Sequence, residues 1–111
     1  GDVNDRDVVI IDDICDTGGT LAKSAALLKE KGARSVRALI THPVLSGKAY
    51  ENIENSVLEE LVVCDTIPIR NECSKMKVIS VAELFAVAIR NAFENKSITS
   101  LFIHSQRRQS L

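Results

Sequence analysis

Charge of one sign is missing from this sequence: 14 Lys and Arg stand against 15 Asp and Glu, leaving a formal net charge of −1. Without a basic excess there is no electrostatic basis for binding nucleic acid or an anionic membrane surface. Long apolar runs are missing as well. The longest are of strand length, which excludes a transmembrane helix. Cysteine is scarce, and Cys15, Cys64 and Cys73 never fall at C-x-x-C spacing, which argues against a zinc site or a disulfide framework and fits a reducing, cytoplasmic compartment. No signal peptide, internal repeat, low-complexity stretch or linker interrupts the 111 residues, and 45% hydrophobic content suits one small domain with a core of its own.

What is present is an alternation of strand and helix patterns, the signature of a parallel α/β sheet with helices on its faces. Asp7 to Ile11 reads as a buried strand. Leu21 to Lys31 reads as a helix with Leu21, Ala25 and Leu28 on one face and Gly32 as its stop. A strand over Ser35 to Thr41 follows, then a short helix around Gly47 to Ile53. Leu61 to Cys64 and Lys77 to Ile79 are further strands, separated by a loop containing Pro68. In the last helix Ser80 and Glu83 are spaced as a capping box. There Val81, Leu84, Phe85, Ala88, Ile89 and Ala92 recur at helical period, a core face. Ligands of such sheets bind beyond the carboxyl ends of the strands, so the loops Asp12 to Thr20, Thr41 to Gly47 and Asp65 to Arg70 are expected to share one rim.

The chemistry concentrates in Asp12-Asp13-Ile14-Cys15-Asp16-Thr17-Gly18-Gly19-Thr20, directly behind the apolar run Val8 to Ile11. Asp12 and Asp13 are acceptor-only when ionised, suited to adjacent sugar hydroxyls either directly or through a hydrated Mg²⁺. Thr17, Gly18, Gly19 and Thr20 offer hydroxyls and close backbone approach at the start of a helix, where unpaired N–H groups favour a phosphate. The spacing is neither G-x-x-x-x-G-K-[ST] nor G-x-G-x-x-G, and no lysine sits in the loop. Asp16, a carboxylate beside an anion, should turn aside and fix the loop, or bind a metal or a substrate hydroxyl. A plain strand-to-helix turn would need neither the carboxylate pair nor Thr on both sides of Gly-Gly. Cys15 reads as a space-filler, since phosphoryl chemistry needs no thiol. His42 reads as a loop residue fixing the turn before Pro43 rather than as a catalyst. Arg70, Lys75 and Lys77 read as a solvated basic cluster.

This loop resembles the phosphoribosyl-diphosphate loop of type I phosphoribosyltransferases. It is more similar still to the ribose-5-phosphate loop of the ribose-phosphate diphosphokinase, or phosphoribosyl pyrophosphate synthetase, family. Gly1-Asp2-Val3, Asp5-Arg6, Thr41 to Gly47, Asp65 to Pro68, Cys73 to Ser80 and Lys96 to Phe102 extend the likeness from Gly1 to about Ile103. Thr99, Ser100 and the tail diverge. The resemblance implies a three-layer, mostly parallel sheet of the phosphoribosyltransferase kind, incomplete here. It implies a partial domain over 1–103 with a disordered tail over 104–111, forming a C-terminal fragment of a longer enzyme. That enzyme moves the diphosphate of ATP to ribose 5-phosphate with Mg²⁺ and assembles as a homo-oligomer. Asp12, Asp13, Asp16, Thr17, Gly18, Gly19 and Thr20 would form the ribose-5-phosphate half of the site, with Mg²⁺ held indirectly through Asp12 and Asp13. No catalytic residue falls in this chain, which should be inactive alone. A type I phosphoribosyltransferase and a non-catalytic, synthetase-associated regulatory subunit are the other readings. The latter would have lost the loop.

Overall fold

A computed structural model describes residues 2–95, so the expectations for Lys96 to Phe102 and for the tail over 104–111 lie outside the described residues. The chain divides after Ser80 into two compact units, each described by itself.

In the first unit four strands, β1 (Asp7–Cys15), β2 (Ser35–Pro43), β3 (Glu60–Cys64) and β4 (Met76–Ile79), pair in parallel in the order β1-β2-β3-β4. Helices α1 (Gly19–Glu30) and α2 (Ala49–Glu54) form the first two crossovers. Strands that follow one another in this order always step the same way, so right-handed crossovers put both helices on one face. The core records this. Leu21 and Ala25 of α1 and Ala49 and Ile53 of α2 are buried against Val36, Ala38, Ile40, Leu61 and Val63. The α/β class and the parallel sheet are as expected.

The intervening residues behave differently. Along β2 burial alternates strictly from Val36 to Thr41, and in β1 Val9 and Ile11 are exposed where a strand buried on both faces was expected. Their side chains take the sheet face opposite α1 and α2, which no helix of this unit covers. At the end of α1 the backbone turns through Gly32 at φ +96°, with Gly32 N–H donating to Lys29 O and Ala33 N–H to Leu28 O. That paired pattern is a Schellman stop, and Ala33 is buried beyond it.

The second unit contributes α3 (Ala82–Phe93). Two expectations fail there. Val81, not Ser80, is the N-cap and no side chain caps the helix, so the capping box does not form. None of its residues is buried among the described residues, and Leu84, Phe85, Ile89 and Phe93 are exposed where a core face was expected.

Candidate phosphate-binding site

β1 runs four residues beyond Ile11, so the carboxylates sit in the strand rather than in the turn after it. Asp12 pairs in register with Ile40, in phase with Ile10, while Asp13 takes the alternate phase. The consequence is a division of the pair. Asp12 lines a cavity of about 310 Å³ together with Asp16, Thr17, Gly18 and Thr20, whereas Asp13 and Gly19 are not among its lining residues.

The turn itself hinges on one glycine. Gly18 caps α1 at φ 76°, ψ −4°, and a Cβ there would lie 3.4 Å from both Ala49 O and Ile53 Cγ1 of α2. Left-handed backbone and close packing both demand glycine. Gly19 is already helical, and a Cβ on it would meet only Thr17 Oγ1 at 3.8 Å. The first intrahelical bond is Ala22 N–H to Gly18 O, so the N–H groups of Gly19, Thr20 and Leu21 have no partner within the helix. No side chain caps this end and its first turn carries no acid. It keeps its full positive dipole end.

Behind the loop stands a second one. Leu45 N–H donates to Cys15 O and Ser46 N–H to Asp16 O, Ser46 Oγ donates to the Asp16 carboxylate, and Asn52 Nδ2 donates to Thr17 O at 2.8 Å. Asp16 is thus held as a loop-fixer, by a hydroxyl rather than by backbone N–H groups. Arg70 reaches the same loop, its guanidinium donating to Val44 O at 3.3 Å, and Tyr50 Oη accepts the Arg70 N–H. The expected basic cluster is dispersed: Lys75 donates to Ser56 O and Lys77 pairs with Glu60.

His42 joins the second and third loops. Thr66 Oγ1 spends its proton on Thr41 O, so His42 Nδ1, 2.8 Å away, must donate to it, which leaves Nε2 as an acceptor. Its structural role is that of a tie between loops. Cys15 is buried, and burial pushes its thiol up, the Asp16 and Asp12 carboxylates add to this, and the Gly18 N–H works against it. A thiol held protonated in this way is a poor nucleophile.

A larger cavity, about 780 Å³, opens beside α2 and β4 and includes Tyr50, Glu54, Ile69, Met76 and Val78. Its α2 side carries the acids Glu51 and Glu54, which disfavour an anion, and Glu54 is already held by Cys73 and Ser74. The chemistry favours the smaller one. Among the described residues no group of three or more His, Cys, Asp or Glu side chains could hold a metal ion, and no helix is long and apolar enough to cross a membrane.

Sequence reasoning did not single out Ser46 or Asn52. Nothing local marks them, because their partners come from the loop after a different strand.

Comparison with known proteins fits this geometry. Ribose-phosphate pyrophosphokinases of Wolinella succinogenes and Campylobacter jejuni are 57% and 56% identical to the chain over 103 residues, which is 93% of this chain and 33% of each relative. The chain therefore spans about a third of the length of the curated relatives it matches. A crystal structure of phosphoribosylpyrophosphate synthetase from Mycobacterium smegmatis superposes with a TM-score of 0.83 at 39% identity, covering 86% of this chain and 33% of that one. Residues 1–103 match the family described as Phosphoribosyl synthetase-associated domain, and the chain belongs to that family.

Proposed function

We propose that this chain supplies the ribose-5-phosphate half of a ribose-phosphate pyrophosphokinase site. The observation that carries the reading is the meeting, in one cavity of about 310 Å³, of the uncapped start of α1, the Thr17 and Thr20 side chains, and the Asp12 carboxylate. One end suits a phosphate and the other a diol. The relatives' names supply the substrate class.

In the reaction the C1 hydroxyl oxygen of ribose 5-phosphate attacks the β-phosphorus of ATP. The bridge between the α- and β-phosphorus breaks, AMP leaves and the hydroxyl proton is released. Catalysis of this kind rests on positioning and on stabilising the transferring charge. The loop's work is positioning: N–H groups of Gly19, Thr20 and Leu21 with the Thr hydroxyls hold the 5-phosphate, and Asp12 holds the sugar hydroxyls. Asp13 is assigned the same sugar from the other side of the strand, and Asp16 keeps the turn in shape. No Lys or Arg lines the cavity, so the transferring group must be stabilised from elsewhere, and the chain alone binds without turnover. Mg²⁺, when bound, would neutralise phosphate charge. Asp12 and Asp13 fit it as outer ligands, since Mg²⁺ at phosphate sites keeps several waters and uses one or two carboxylates. ATP as second substrate, a homo-oligomeric assembly and a cytoplasmic setting belong to the same proposal.

Titration of the chain with ribose 5-phosphate, followed by amide NMR, tests it. Signals of Thr17 to Thr20 should move first, and Asp12→Asn should weaken binding by about tenfold, the loss of one charge-assisted hydrogen bond. Asp13→Asn, outside the cavity wall, should cost less. Movement confined to signals remote from the loop would remove this assignment.

A further inference from the structure

The Thr17–Gly18 peptide is the one point in the loop that could face either way. Gly18 takes positive or negative φ with little penalty, so this peptide can turn over by changing only ψ of Thr17 and φ of Gly18. Its carbonyl is pinned on one side, where Asn52 Nδ2 of α2 donates to Thr17 O at 2.8 Å, and in a trans peptide the Gly18 N–H points the opposite way. Turning over exchanges the two directions. It would swing the Thr17 carbonyl away from Asn52, which does not line the cavity that Thr17 and Gly18 line, and present a partial negative charge where a phosphate is to sit.

We propose that Asn52 is a positioning residue that locks this peptide with its carbonyl turned away from the anion. The inference rests on the ribose-5-phosphate reading of the site. Asn52 is not among the residues lining the cavity, so it acts through the loop and not by contact with the ligand. Its Cβ lies 3.6 Å from where a Cβ on Gly18 would stand, which places the amide directly behind the turn. The 2.8 Å bond that holds the carbonyl comes from the Asn52 amide. The orientation of the peptide therefore depends mainly on α2.

The test compares the wild-type chain with Asn52→Asp, which keeps the shape but loses the donor and faces the carbonyl with a carboxylate, and with Asn52→Ala. Three measurements are made on each: affinity for ribose 5-phosphate by NMR titration, thermal midpoint, and the amide shift and exchange rate of Gly18. The expected result is an affinity about tenfold lower in both variants, with a changed Gly18 amide signal and a thermal midpoint close to wild type. Unchanged affinity in both variants overturns the proposal. So does an affinity loss that tracks a fall in thermal midpoint while the Gly18 amide keeps its wild-type signal, since Asn52 would then only be holding the fold. If the wild-type chain binds no sugar phosphate, the proposed function fails. The lock is then judged separately, and a Gly18 amide identical in all three proteins refutes it.

Discussion

At the residue scale the two adjacent glycines have different jobs, and this can be measured. Gly18→Ala would force a β-carbon into a left-handed turn and against Ala49 O and Ile53 Cγ1, each at 3.4 Å. A stability loss of ~1–2 kcal/mol is expected. Gly19→Ala makes only an ordinary contact with Thr17 Oγ1 at 3.8 Å and gains helix propensity, so its stability should stay within ~1 kcal/mol of wild type. It should nevertheless weaken ribose 5-phosphate binding, because the added methyl lies beside Thr17 Oγ1 at the start of α1. Urea denaturation of both variants decides; equal stabilities would refute the separation. The strand-to-helix loop proposed for the phosphate was legible as a run of residue types, Thr-Gly-Gly-Thr behind a strand. Which glycine bends was not, since φ is fixed by where the helix begins. The splitting of Asp12 from Asp13 was hidden for a similar reason: it needs β1 to continue past Ile11, and the polar Asp pair disguises that continuation.

Element boundaries follow the same pattern. The stop of α1 was readable because Gly32 acts locally through the Schellman bonds. The start of α3 was not, because Ser80 and Glu83 have capping-box spacing yet the helix begins one residue late, with Val81 as N-cap. One tie between elements carries a pH signature. Asp7 at the start of β1 accepts from Arg34 Nη2 at 2.8 Å and from Ser35 Oγ at 2.6 Å. These bonds, the Arg34 pair first, hold its carboxyl well below the usual carboxylate range. A carboxylate with a lowered folded value stabilises above its unfolded value, about 3.9, and loses that contribution as pH falls through the folded value. Stability should therefore decline below about pH 4, and Asp7→Asn should flatten this acid limb by lowering the neutral plateau towards the acid level. Both partners are more than half exposed, so salt should shrink the difference. An acid limb identical in Asp7→Asn would show that the pair contributes nothing.

On the scale of the whole molecule, the parallel sheet was legible from alternating elements, but which of its faces α1 and α2 cover was not. Alternation within each strand settles that question. The phase of Val8, Ile10, Ala38, Ile40, Leu61 and Val63 meets α1 and α2, while the opposite phase brings Val9, Ile11, Leu39 and Ile79 to one face, exposed by 56%, 75%, 37% and 51%. Arg37, Glu60 and Lys77 share this phase and border the apolar residues, and exposed apolar clusters of this kind favour association. β1 is also an end strand of the sheet, with no further strand on its outer side among the described residues. The chain should consequently bind an environment-sensitive dye in its native state and associate as concentration rises. Ile11→Lys, on the most exposed of these positions, should reduce dye binding and shift the equilibrium towards monomer. It should barely change stability, because at 75% exposure Ile11 buries little on folding. Light scattering and sedimentation across a dilution series supply the check. A wild-type chain that stays strictly monomeric at high concentration and binds no dye would mean that this face is shielded in solution.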